Sequence, residues 1–259
     1  MKPMKMMLTA LGLAACLLFL CACGVPVLEK KGDTYVDSKT GVAYVYAPQN
    51  YIAISVSDEQ VVKIPKNVED DLILYAVENM DTARFLTTEN GTLFCAEGIT
   101  LPALWELPVA SVAAYGMQSA TLSVASVTDA EDISALQTTY RDGTFFARSD
   151  IYTDASVTSY SLRFVADGDA YTGLAYTLYY LQYSKDVCLY VTVEDEASFE
   201  NPYPGLSYHV EDRTYEDPTT GNTVTERLAV YELGSDFLYD RSTGLCCMAG
   251  DVLRSYVEE

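Results

Sequence analysis

Apolar and polar positions alternate with period two over much of the chain. That is the pattern of a half-buried strand, whose successive side chains point to opposite faces. Tyr160, Leu162 and Phe164 fall on one face, with Ser161 and Arg163 on the other. Val187, Leu189, Val191 and Val193 form an apolar face opposite Cys188, Tyr190 and Thr192. The run from Leu174 to Tyr183 precedes that strand across Ser184-Lys185-Asp186, a length that suits a hairpin. A three-residue loop sets Tyr183 against Val187, Leu181 against Leu189 and Tyr179 against Val191. Tyr176, Tyr180 and Tyr190 are then left together on the opposite face, a grouping that a slip of one residue would break. Further strands are predicted at 42–47, 52–56, 72–77, 83–88, 92–96, 144–152, 206–211, 223–232, 236–240 and 244–249, with Glu89-Asn90-Gly91 as a turn.

One segment changes to helical spacing. Thr128-Asp129-Ala130-Glu131 fits a capping box, with Glu three residues after the capping Thr. Ile133, Leu136 and Tyr140 follow at helical intervals, and Gly143 fits the stop. The spacing predicts a helix at about 129–141, while 106–117 and the last eight residues fit neither pattern. The expected fold is α+β, mainly an antiparallel β meander with one principal helix on a sheet; all-β is the alternative.

A local pattern, Asp-x-x-Thr-Gly, recurs at Asp37–Gly41, Asp169–Gly173, Asp217–Gly221 and Asp240–Gly244. An Asp carboxylate accepts bonds from amides two or three residues on, and Gly supplies positive φ, so these read as hairpin turns. Calcium would need six to eight oxygens, more than one Asp per turn supplies. The copies are unevenly spaced, which argues against equal propeller blades. No linker rich in Ser and Gly interrupts the chain, so 33–259 reads as a single domain.

The first residues form an address. Met1 to Lys5 is basic, and Met6 to Leu20 carries no charge. That apolar run is shorter than the ~20 residues of a membrane span and suits a secretory signal. Leu20-Cys21-Ala22-Cys23-Gly24 follows. It resembles the lipobox of bacterial lipoproteins, although Cys21 takes a place where a small or aliphatic residue is usual. The resemblance implies cleavage between Ala22 and Cys23, lipidation of the Cys23 thiol, and removal of 1–22 as signal peptide. Residues 23–32 would then be lipidated Cys and tether, with 33–259 anchored on the extracytoplasmic face of a bacterial cell membrane. Leu13-Ala14-Ala15-Cys16 also fits the box, but using it would strand Leu17 to Leu20 after the cut. An uncleaved membrane anchor is the plainer alternative.

Composition then excludes activities. With 37 acidic and 16 basic residues the net charge is −21, and no nucleic acid partner is expected, because phosphate binding needs clustered Lys and Arg. His209 is the single histidine, so a multi-histidine zinc site is absent, and neither a Cys pair spaced for metal nor a phosphate-binding glycine loop occurs. No metal, cofactor or catalytic residue is expected. Strand alternation would put Ser207 beside His209, but an exposed strand His explains that residue equally. Lys39-Thr40-Gly41 is a turn rather than a penicillin-binding element, since Ser-x-x-Lys is missing. Cys95, Cys188, Cys246 and Cys247 read as buried free thiols, with a vicinal disulfide at 246–247 as the rarer outcome. Trp105 reads as core.

Tyrosine is the positive feature: 21 Tyr stand against 8 Phe, and several crowd between Tyr171 and Tyr190. Tyr offers a flat apolar face with a hydroxyl, which suits gripping a peptide or glycan. Tyr176, Tyr180 and Tyr190 are the candidate ligand contacts, with core packing as the plainer reading. The sequence favours a non-catalytic lipoprotein that binds a protein, peptide or glycan. The alternatives are a carboxylate-based hydrolase of envelope polysaccharide and a structural accessory of a membrane complex.

Overall fold

A computed structural model describes residues 25–65, 71–116, 122–216 and 219–258. The signal segment and lipobox, Ala22 and Cys23 included, lie outside the described residues, as does Asp217. The strands in chain order are β1 (Glu29–Lys31), β2 (Thr34–Val36), β3 (Ala43–Tyr46), β4 (Tyr51–Ala53), β5 (Val56–Ile64), β6 (Leu72–Val77), β7 (Phe85–Thr87) and β8 (Leu93–Ala96). After a 3-10 turn at Leu104–Glu106 come β9 (Val109–Gly116), β10 (Ser123–Val127) and helix α1 (Ala130–Asp142). The chain continues through β11 (Phe146–Ala147), a 3-10 turn at Arg148–Asp150, β12 (Ile151–Tyr152), β13 (Val157–Ala166), β14 (Leu174–Tyr183) and β15 (Val187–Thr192). It ends with β16 (His209–Glu216), β17 (Thr223–Leu233), β18 (Asp236–Asp240), β19 (Leu245–Met248) and the short helix α2 (Val252–Val257). The fold is mainly antiparallel β and close to all-β. Among the described residues no helix is long and apolar enough to cross a membrane.

Contacts divide the chain into two compact units, one of residues up to Ala47 with Ala53–Thr100, the other of Pro48–Ile52 with Leu101–Glu259. The first unit is a seven-stranded sheet in the order β1-β2-β3-β8-β7-β6-β5. Leu28, Tyr35, Tyr44, Val62, Ile64, Leu74, Leu86 and Phe94 form a core cluster in it. Leu28, in the stretch expected to be tether, is fully buried, and β1 pairs with β2 from Glu29 onward. The packed chain thus begins within the segment whose sequence had suggested only a spacer.

The second unit has three layers. Its middle is the sheet β10-β9-β13-β14-β18-β19-β11, with β4 also on β14. Ile133, Leu136 and Tyr140 of α1 pack on one face, against Val112, Leu162, Phe164, Leu178, Tyr180, Leu238 and Cys247. Each such large apolar side chain contributes about 1.5–3 kcal/mol when fully buried. The other face, with Leu181, Tyr183, Phe237 and Cys246, shares a cluster with Val187, Leu189, Ala229, Tyr231 and Leu233 of a four-stranded sheet, β12-β15-β17-β16. Cys246 and Cys247 are adjacent in one strand and so face opposite cores; both are free thiols, pushed up to about 12 first by burial.

The structure changes two local readings. The cap of α1 is Asp129, not Thr128: its Oδ1 accepts the Glu131 and Asp132 amides at 2.9 and 3.2 Å. β14 and β15 do not pair as a hairpin. β14 pairs with β13 and β18, while β15 pairs with β12 and β17. The 184–186 link turns a corner between sheets. The link at 234–235 turns beside it, with the Tyr183 amide on Ser235 O at 2.7 Å and the Val187 amide on Gly234 O at 3.3 Å.

Candidate ligand groove

Three strands build the outer face of the four-stranded sheet by simple parity. The pairs Tyr190↔Val230, Thr192↔Leu228, Arg213↔Glu226 and Tyr215↔Val224 each lie side by side on one face. Residues one position along, such as Leu189 and Tyr231, point into the core. Leu228 and Val230, 6% and 4% exposed, floor the outer face. From β16 the Arg213 side chain reaches across β17 until its guanidinium carbon is 5.2 Å from the Tyr190 ring centroid. Tyr215, 39% exposed, stands on the same face.

Two hollows lie on this face, closed in part by neighbouring turns. One groove of about 490 Å³ is lined by Tyr190, Arg213, Tyr215, Glu226 and, from the neighbouring 3-10 turn, Ser149 and Asp150. A second, also about 490 Å³, is lined by Thr153, Asp154, Lys185, Asp186, Cys188 and again Tyr190 and Arg213. Lys185 Nζ is 2.5 Å from Asp154 Oδ1, and this bond is the main cause holding the Asp154 carboxyl below its usual range. Burial raises the Cys188 thiol; a Tyr190 hydrogen bond works against the rise, and the charges of Glu232, Glu211 and Asp186 add to it. The thiol therefore stays protonated at neutral pH and is a poor nucleophile. Burial, with Cys188 next, also raises the Tyr190 phenol, which remains a neutral hydroxyl.

The three tyrosines singled out from sequence separate. Tyr176 and Tyr180 belong to the cluster beneath α1, on the far face of the middle sheet. Tyr180 is fully buried, its hydroxyl donates to Asp236, and it offers no ring face to a ligand. Tyr176 accepts the Asn50 amide at 2.8 Å and packs edge-on against Tyr51 at 5.2 Å. Only Tyr190 reaches the groove. Arg213, Tyr215 and Glu226 were missed; alternation along 209–215 would have placed Arg213 and Tyr215 on one face, but the strand was predicted to stop at 211.

The Asp turns are not uniform. Asp37 Oδ1 accepts the Lys39 amide and Oδ2 the Thr40 hydroxyl, both at 2.9 Å. Asp240 Oδ1 accepts the Ser242 amide and hydroxyl at 2.8 and 2.6 Å. At 167–173 the Gly168 carbonyl, not Asp169, gathers the donors, including the Thr172 hydroxyl at 2.8 Å. Gly41, Gly173, Gly221 and Gly244 all have positive φ, between +68° and +86°. Among the described residues no cluster of three or more His, Cys, Asp or Glu is arranged to hold a metal. His209 is exposed with its Nε2 3.7 Å from Glu211, and Ser207 lies before the strand begins. Trp105, expected in the core, is 45% exposed, with its ring 6.5 Å from that of Tyr140.

The first unit carries its own groove, of about 570 Å³, lined by Tyr46, Tyr75, Asp71, Glu89, Asn90 and Thr92 among others. It presents rings, carboxylates and an amide, and among the described residues its lining includes no cationic side chain to match Arg213. Compared with protein-family models, curated proteins and solved structures, the chain matches none, and its function has to be read from these residues.

Proposed function

We propose that the protein is a lipid-anchored, extracytoplasmic binding protein that holds a ligand on the outer face of its four-stranded sheet and does not turn it over. The observation that carries this reading is the Tyr190–Arg213 pair, set in an open groove with Tyr215 and carboxylates around it. A ring face, a fork of donors and several acceptors in one concavity are what recognition of a polar ligand requires. The residues beside the groove support binding over catalysis. Cys188 is held protonated and so is a poor nucleophile, and Asp150 stands exposed at the edge of the groove rather than facing a second acid across a closed cleft.

The anchor rests on the resemblance of Leu20 to Cys23 to a lipobox. The Lys63 amide donates to Pro26 O at 2.8 Å, so Pro26, three residues after Cys23 in sequence, is tied to the first unit. Three residues span at most about 10 Å. Lipidation at Cys23 would therefore hold the first unit close to the bilayer surface despite its acidic charge.

The test is a thermal-shift screen of the detergent-purified full chain against oligosaccharides, cell-wall fragments and peptides, with fatty-acid labelling in cells. A ligand at about 100 times its Kd adds about 2.7 kcal/mol of stability, a readable rise in Tm. The expected result is a shift that Tyr190→Ala abolishes, and a lipid label that Cys23→Ala abolishes. A shift unchanged in both Tyr190→Ala and Arg213→Ala would overturn the site, and a label retained in Cys23→Ala would overturn the anchor.

A further inference from the structure

The two grooves on the four-stranded sheet share one wall, formed by Tyr190 and Arg213. From this junction we infer that the ligand is a glycan chain, neutral or amino-bearing, which runs from one groove into the other over the Tyr190–Arg213 saddle. The inference rests on the binding function proposed above and adds the chemical class and length of the ligand.

Charge narrows the class first. Asp150, Glu226, Asp154 and Asp186 line the two grooves against Arg213 and Lys185, and Lys185 is already bonded to Asp154. In a chain of net charge −21, this lining repels a polyanion. A basic peptide would suit the carboxylates but would have to pass Arg213 where the grooves join. A polyhydroxylated chain meets no such conflict. Its hydroxyls donate to carboxylates and accept from guanidinium, and its apolar ring faces lie on Tyr. Length follows from the shared wall. The two grooves, each about 490 Å³, share the Tyr190–Arg213 wall, so a chain that crosses this wall can occupy both. The shared saddle would then be the central subsite, and a chain long enough to cross it gains contacts on both sides.

The experiment is calorimetric titration of the full chain in detergent with N-acetylglucosamine oligomers and cello-oligosaccharides, from the single sugar to the hexasaccharide, with hexalysine alongside. In one series, affinity is expected to rise at least tenfold (about 1.4 kcal/mol) between disaccharide and tetrasaccharide and then level off. Tyr190→Ala should lower tetrasaccharide affinity tenfold or more, Tyr190→Phe should keep most of it, and Tyr75→Ala in the other unit should leave it unchanged. Unaltered circular dichroism in Tyr190→Ala excludes misfolding as the cause. Affinity independent of length, yet still lost in Tyr190→Ala, would overturn the continuous chain while leaving the binding function intact. Hexalysine binding in place of every sugar would overturn the glycan class. Sugar binding untouched by Tyr190→Ala and Arg213→Ala would overturn both the saddle and the function on which it rests.

Discussion

Asp240 is a carboxylate that is 3% exposed, and its donors account for its ionised state. Ser242 supplies an amide and a hydroxyl, and the Tyr140 hydroxyl donates to Oδ2 at 3.0 Å. Burial alone would raise its pKa; the bonds from Ser242, Asn50 and Tyr140 outweigh burial and hold it below its usual 3.8. Asp37 behaves alike, with burial opposed and outweighed by Lys39 and Thr40. A folded-state pKa below the unfolded value means that the unfolded chain takes up more protons. The stabilisation is therefore present above the unfolded pKa and is lost as pH falls through the folded one. Urea midpoints should drop from about pH 5 downward, and Asp240→Asn should flatten that slope. Asp240→Ala should cost about 1–3 kcal/mol at neutral pH by stranding the Tyr140 and Ser242 donors. An acid slope identical in wild type and Asp240→Asn would contradict this assignment. The turn motif is plain in the sequence, but its acceptor is not. At 167–173 the turn opens one residue early on Gly168, whose φ is +81°, and the carbonyl takes the place of the Asp.

The elements show which kind of information a sequence carries. Alternation assigned faces well: Leu181, Tyr183, Val187 and Leu189 share one core as their parity requires. It could not assign partners. A three-residue link serves equally to close a hairpin or to turn a corner between two facing sheets, and both keep the same parity. What decides is long-range pairing, such as Tyr180↔Leu238, which nothing local encodes. Hence Tyr190 was grouped with Tyr176 and Tyr180 when it faces away from them. Helix α1 was legible because its apolar spacing and stop are local, although its cap is Asp129 rather than Thr128. Gly143, its stop, has φ −64° and ψ 148°, so conformation does not demand glycine there. Space does: an added Cβ would lie 2.8 Å from Cys247 Cβ and 2.8 Å from Thr139 O. Gly143→Ala should therefore destabilise by overpacking, by about 1–3 kcal/mol in urea unfolding. Gly234→Ala, where an added Cβ meets nothing within 4 Å, should change little. Equal effects of the two substitutions would show that crowding at Cys247 is not the reason.

At the scale of the whole molecule, composition narrows the chemistry to expect more than it names a ligand. The charge of −21 argues against a nucleic acid partner, and one histidine cannot make a multi-histidine metal site. The groove was barely visible, because it is assembled from β15, β16 and β17, whose order in the sheet is set by tertiary pairing. Both units carry Tyr-bearing grooves, and the Tyr190–Arg213 pair favours the second as the ligand's place. Hydrogen exchange read by mass spectrometry, on the full chain with and without the best ligand from the screen, tests that assignment directly. The expected result is slowed exchange confined to 187–192, 209–216 and 223–233. Protection at 71–75 and 88–92, with the four-stranded sheet unchanged, would place the ligand in the first unit and contradict the account.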